Sequence, residues 1–316
     1  MSRKIQRLKQ DSDRREHGHI IMEGTPNRAI RKIPKESPEY PQRLKKLSGM
    51  PGSLYVIGNL PKDEQPTVAV VGARMCTSYG KKQAFRFAEE LSAAGVQVIS
   101  GLALGIDAQG HRGAIQAGNP TYAVLGCGID IQYPAANREL YQEILDTGGG
   151  ILSELPPGTP PRAGYFPARN RIISALSDVV LVVEARCKSG SLITAGFALD
   201  QGKTVYALPG QVDQSLSAGC NRLIYDGAGI ALSPEILLEE WGITAEKQGK
   251  PKGKKNLGLA RDLELVYSCL DLRPENLDYF MKKTGFSPGK TGSLLTQLQI
   301  LGLAREVGRQ HYVRQE

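Results

Sequence analysis

One unit recurs along the middle of this chain: a short apolar run, a glycine turn, then a stretch with helical periodicity. Thr67-Val-Ala-Val-Val71 runs into Gly72, Val96-Gln-Val-Ile-Ser100 into Gly101, and Thr121-Tyr-Ala-Val-Leu125 into Gly126. Asp178-Val-Val-Leu-Val-Val-Glu184 and Thr204-Val-Tyr-Ala207 continue the series. Runs that are apolar throughout, with no polar alternation, suit strands buried on both faces, and such strands need helices on both sides of a parallel sheet. The periodicity predicts helices over residues 79–94, with Ser78 as N-cap and Gly95 as stop, and over about 106–117, 135–145 and 192–201. The fold class is therefore α/β, with one open, doubly wound, mostly parallel sheet of six or seven strands.

In open parallel sheets, ligands sit beyond the carboxyl ends of the strands. Here those ends supply Gly72-Ala-Arg74, Gly101, Gly126-Cys-Gly128, Ser153-Glu154, Ala185-Arg186 and Pro209-Gly210, all on one rim. The richest stretch is 162–196. Arg162, Tyr165, Phe166, Arg169, Asn170 and Arg171 precede the 178–184 strand, and Arg186-Cys-Lys188-Ser189-Gly190-Ser191 follows it. Cations, amides at a helix N-terminus and an aromatic ring are the parts that hold a phosphate chain with bases attached. An arginine-rich loop is usually solvated and a Phe beside Pro is usually packing. What makes this a candidate site is that both basic turns flank one strand.

Charge distribution sharpens the point. The net charge is +8, yet residues 48–242 carry 14 Lys and Arg against 18 Asp and Glu. The excess lies in residues 1–47 (13 against 6) and 243–258 (5 against 1). A cationic cluster in a mildly acidic domain is not explained by general basicity. The domain reading is a basic, flexible arm over 1–35, the sheet domain over 36–242, a basic linker over 243–258, and a compact module over 259–316. That last module reads as three helices and a hairpin, a winged helix whose third helix carries Leu294, Leu295, Leu298 and Leu301 on one face. Lys290 is the one cation of that third helix and the module is nearly charge-neutral, so protein contact is as good a reading of the module as duplex recognition.

Much chemistry is missing. The first glycine turn has Arg74 where a GxGxxG fingerprint needs its second glycine, and no GxxxxGK[ST] loop occurs. His111, four residues after Asp107, reads as a packing or capping partner, and Ser189 and Ser191 as helix-start caps without a His–Asp pair. Five scattered cysteines read as reduced thiols, with no disulfide or zinc site. No catalytic residue, cofactor or metal is expected. With no membrane-length apolar run and no signal-peptide core, the expected location is cytoplasmic.

The series Val71-Gly-Ala-Arg74, Ser100-Gly-Leu-Ala-Leu-Gly-Ile-Asp-Ala-Gln-Gly-His111, Gly128-Ile-Asp-Ile-Gln-Tyr-Pro134, Ser153-Glu-Leu-Pro-Pro157, Phe166-Pro-Ala-Arg-Asn-Arg-Ile-Ile-Ser174 and Lys188-Ser-Gly-Ser-Leu-Ile-Thr-Ala195 resembles the motifs of the DNA-processing protein A (DprA/Smf) family, over about 38–241. The resemblance implies an extended Rossmann-like fold, a C-terminal winged helix and a homodimer formed through the Rossmann domain. It implies a non-enzymatic protein of natural transformation that binds and protects incoming single-stranded DNA and helps load RecA recombinase onto it. It also implies a DNA pocket built from Arg74, Arg162, Phe166, Arg169, Asn170, Arg171, Lys188, Ser189, Gly190 and Ser191, to which the glycine turns of the rim add Gly72 and Gly101. Some relatives place a lysine three residues before the Phe; this chain has Ala163 there, and Arg162 is read as its substitute. The helical domain with which many relatives begin has no counterpart in the polar first 35 residues. The alternative is a nucleotide-cleaving hydrolase of the lysine-decarboxylase-like Rossmann group, whose PGGxGTxxE motif carries a catalytic Glu. Phe197 stands in that place here. A third reading is a transcription factor acting through the winged helix.

Overall fold

The computed structural model describes residues 29–243, 260–270 and 274–315, which fall into two compact units, one within 1–246 and one within 247–316. The first is built on a nine-stranded sheet. Its strands are β1 (Arg31–Pro34), β2 (Ser53–Gly58), β3 (Thr67–Val71), β4 (Gln97–Ser100), β5 (Thr121–Leu125), β6 (Gly150–Ser153), β7 (Val179–Val182), β8 (Thr204–Ala207) and β9 (Gly229–Ile230). They lie in the order β1-β2-β6-β5-β4-β3-β7-β8-β9. From β6 to β9 all neighbours are parallel, and β2 and β1 add an antiparallel edge. The helices are α1 (Gln42–Lys45), α2 (Ser78–Ala93), α3 (Ile106–Gln116), α4 (Arg138–Asp146), α5 (Tyr165–Leu176), α6 (Gly190–Asp200), α7 (Ala218–Tyr225) and α8 (Pro234–Glu240).

Alternation along each strand feeds two cores. Ala69 and Val71 of β3 pack with Ile172, Ala195 and Val180 on one face, while Val68 and Val70 pack with Phe87, Leu91 and Ile106 on the other. The chain lays down β3, β4, β5 and β6 outward in one direction, then returns through α5 to place β7 on the far side of β3. The boundary of β3 and β7 is thus the topological switch point, where the outgoing loops part and a crevice opens. Ala73 N donates to Glu184 O at 2.7 Å and Val183 N to Val71 O at 3.1 Å, so the two strand ends are stitched below that crevice.

Four local expectations are corrected. The sheet begins inside the predicted arm: residues 31–34 pair antiparallel with β2 and bury Ile33, a pattern too short to show periodicity. The cap of α2 is Thr77, one residue before Ser78. Its Oγ1 accepts from Gly80 N at 3.0 Å, and its amide and hydroxyl donate to the Glu184 carboxylate at 2.8 and 2.5 Å. The 135–145 helix is a 3-10 turn (Ala135–Asn137) leading into α4. In the second unit, Leu294, Leu295 and Leu298 pack against Val266 and Phe280, but Leu301 is 53% exposed because its helix has ended.

That second unit holds α9 (Arg261–Cys269), α10 (Leu277–Thr284) and α11 (Pro288–Ile300), with β10 (Glu275–Asn276), β11 (Ala304–Gly308) and β12 (His311–Arg314) in an antiparallel sheet ordered β10-β12-β11. Lys290 on α11 pairs with Asp262 at 2.6 Å and lies 4.1 Å from the Phe286 ring centroid. No helix among the described residues is long and apolar enough to cross a membrane. Residues 1–28 of the expected arm and 244–258 of the expected linker lie outside the described residues.

Candidate nucleic-acid interface

The crevice at the switch point is a cleft of about 610 Å³, walled by Gly72 beyond β3, Asp107 of α3, Phe166 and Asn170 of α5, and Ser189 and Ser191 at the start of α6. At its mouth Arg74 is exposed, its guanidinium carbon 5.1 Å from the centroid of the Phe166 ring. Phe166 also stacks on Tyr133, centroids 5.7 Å apart and planes at 29°. The ring lies close over the β5 turn because residue 126 is glycine; a Cβ there would stand 2.8 Å from Phe166 Cδ1. Tyr133 is 39% exposed, so this cation and ring group faces solvent.

Beneath it the chemistry turns inward. Arg169 is 4% exposed and its Nη1 donates to Gly101 O at 2.7 Å and to Val124 O, while its Nε donates to Asn170 Oδ1 at 3.3 Å. Burial pulls its guanidinium down to about 10, against the attraction of Asp107. The Asp107 carboxylate accepts from Gly101 N at 3.1 Å and Ala103 N at 3.4 Å, and burial holds its carboxyl above the ordinary range despite Arg169. Arg169, Asp107 and both polar backbone groups of Gly101 are therefore spent on protein partners. They form the floor that fixes α5 over the ends of β4 and β5.

The opposite wall is the first turn of α6. Ser189 is its N-cap, accepting from Ser191 N at 3.4 Å, with the two hydroxyls 2.8 Å apart. Asn170 Nδ2 donates to Gly190 O at 3.2 Å, which ties this turn to α5. Arg162 and Lys188 are exposed at the margins, Arg162 between the wall residues Pro161 and Ala163, and Lys188 beside Ser189.

Of the twelve residues singled out from sequence, Gly72, Arg74, Phe166, Arg169, Asn170, Ser189, Gly190 and Ser191 meet at this cleft. Gly101 instead lines a smaller pocket that shares Arg74, Tyr133, Phe166 and Arg169 with the cleft. Arg171 does not: it turns to Glu154 beyond β6, Nη2 to Oε2 2.6 Å, with both side chains mostly buried. Asp107 and His111 do not pair either, since His111 Nδ1 bonds Thr121 Oγ1 at 2.8 Å. Three contributors had no assigned role in the sequence reading. Tyr133 sat inside a quoted motif, Asp107 looked like a helix neighbour of His111, and Glu184 looked like the end of a strand. The signal available was their position, since each lies in the turn or first helical residues after a strand.

Fold and cleft define a doubly wound α/β protein whose site joins an exposed cation and aromatic mouth to a helix N-terminus, parts suited to a phosphate-bearing ligand with aromatic bases. The chain belongs to the DNA recombination-mediator protein A family, whose model matches residues 31–242. It is 35% identical over 314 residues to protein Smf of Synechocystis, covering 88% of this chain and 79% of that protein. The fold is similar to the X-ray structure of DNA processing protein A from Streptococcus pneumoniae (TM-score 0.65, 37% identity, 75% of this chain and 80% of that one). It is also similar to DNA processing protein A from Helicobacter pylori, a structure concerned with that protein's single-stranded DNA binding mode (TM-score 0.61, 32% identity, 67% and 95% covered).

Proposed function

We propose that this protein binds single-stranded DNA along the carboxyl-end rim of its sheet, protects it during natural transformation and hands it to RecA recombinase, acting as a cytoplasmic homodimer without catalysis of its own. The observation that carries the binding reading is Arg74 set against Phe166 and Tyr133 at the mouth of the switch-point cleft. Phosphates run past Arg74, Arg162 and Lys188, whose charges are exposed, while bases stack on the two rings. Arg169 acts from below as a positioning residue for α5. Arg171 braces the middle of that helix on Glu154. Protection, RecA loading and the homodimer rest on kinship with the family.

The test is fluorescence anisotropy with oligo-dT across a salt series. Arg74→Ala weakens binding whatever the base sequence and flattens the dependence of log K on log salt by about one ion. Unchanged affinity and slope would remove the rim from consideration. Release of free base from nucleoside monophosphates by the purified protein would instead favour the hydrolase alternative.

A further inference from the structure

Three loops meet at the mouth of the cleft, and a buried side chain that lines no part of it ties them together. Asn137 is 4% exposed and ends the 3-10 turn that follows Tyr133 and Pro134. Its backbone amide donates to Pro134 O at 2.9 Å, closing the turn that carries the Tyr133 ring. Its side chain crosses to the loop between β4 and α3, where Nδ2 donates to Leu102 O at 2.9 Å and to Ala103 O at 3.2 Å. That loop needs holding. Leu102 has φ of 56°, a left-handed conformation that a leucine adopts only where its surroundings enforce it, and its side chain is buried in the core with Leu125 and Ile129. The same loop brings Leu104, 42% exposed, to the small pocket that Arg74, Tyr133 and Phe166 also line. Beyond Leu104 it rests on the first glycine turn: Ile106 N donates to Ala73 O at 3.2 Å, and Gly105, at φ 79°, lies so close that a Cβ would stand 2.5 Å from Arg74 O. A chain of contacts therefore runs from the Tyr133 turn, through the Asn137 amide and the strained loop, to the backbone of Arg74. A cation and a ring whose spacing is fixed beforehand spare a ligand the cost of ordering their loops.

We propose that Asn137 is a positioning residue for single-stranded DNA binding: by holding the carbonyls of Leu102 and Ala103 it fixes the β4–α3 loop, and through that loop the placing of Arg74 against Tyr133. Asn137 itself lines neither the cleft nor the small pocket, so it acts only through these neighbours. This role rests on the rim reading above. The experiment measures oligo-dT affinity of the full chain by fluorescence anisotropy at low salt, where weakened variants still bind, together with a melting curve for each variant. Asn137→Ala weakens binding by about fivefold or more while keeping a cooperative melt, and Asn137→Ser, which retains a donor for one carbonyl, loses less. In a chain already carrying Arg74→Ala and Tyr133→Ala, adding Asn137→Ala costs less than about twofold, because no placed group is left to misplace. A merely structural asparagine would instead multiply the losses, and that result would overturn the proposal. So would Asn137→Ala binding as tightly as wild type while Arg74→Ala binds weakly, which leaves the rim reading standing. Where Asn137→Ala gives no cooperative melt, Asn137→Ser carries the same comparison in both backgrounds. Wild-type affinity in both Arg74→Ala and Tyr133→Ala would sink the rim reading and this role with it.

Discussion

Two arginines two residues apart in the basic segment of α5, and a third in the first glycine turn, look equivalent in sequence and do different work. Arg74 is exposed beside a ring, Arg169 is spent on carbonyls, and Arg171 is paired with Glu154. Arg171→Ala is therefore expected to leave the salt dependence of oligo-dT binding unchanged and to lower stability by about 1–3 kcal/mol, measured by denaturant melts, since a mostly buried charged partner is stranded. Phe166→Ala is expected to cost about 1–3 kcal/mol of binding if a base stacks there. His111 makes a pH prediction. Thr121 gives its hydroxyl hydrogen to Val98 O, so Nδ1–H of His111 must donate to Thr121, and Nε2 is left bare, buried and without a partner. Burial holds this imidazole down at about 3. An unfolded histidine titrates near 6.5, so between about 6.5 and 3 the unfolded chain binds a proton that the native one refuses. Stability falls with acid through that window, at up to about 1.4 kcal/mol per pH unit from this group. Asp107, raised by burial, acts in the opposite sense as the pH nears the carboxylate range. Melting temperatures from pH 7.5 to 5 should drop less in His111→Gln than in wild type; parallel curves would refute the assignment.

At the scale of elements, the start of α2 is fixed against the turn that follows β7. The Glu184 carboxylate, 4% exposed, binds both the amide and hydroxyl of the Thr77 cap, and Gly80 lies against it so closely that a Cβ would stand 2.4 Å away. Gly80→Ala is expected to overpack this contact and cost about 1–3 kcal/mol in chemical denaturation, although alanine is the better helix former. Local sequence identified nearly every strand and helix here, because a buried strand needs an unbroken apolar run. It misplaced the cap of α2 because Thr77 and Ser78 are both capable caps; a carboxylate 107 residues away chooses between them. It missed β1 for a similar reason, since four residues are held there by ladder bonds to β2 more than by their own pattern.

On the scale of the whole molecule, the chain separates into a sheet unit and a helical unit, each with its own core. A chain ending at residue 243 is expected to keep its own cooperative melt and to bind oligo-dT with a shallower salt slope, because it lacks the five lysines of 243–258. A slope equal to that of the full chain would show that those lysines touch no phosphate. The amino-acid sequence alone determined the winding of the sheet, the rim of strand ends that carries the candidate site, and the family, since apolar runs and glycine turns are local patterns read along the chain. Only the tertiary structure decided which cations face solvent and which are consumed, and that Tyr133, Asp107 and Thr194 share a cleft with Arg74 and Phe166. Burial and pairing depend on partners 17 to 107 residues away in the sequence, and no local pattern records them.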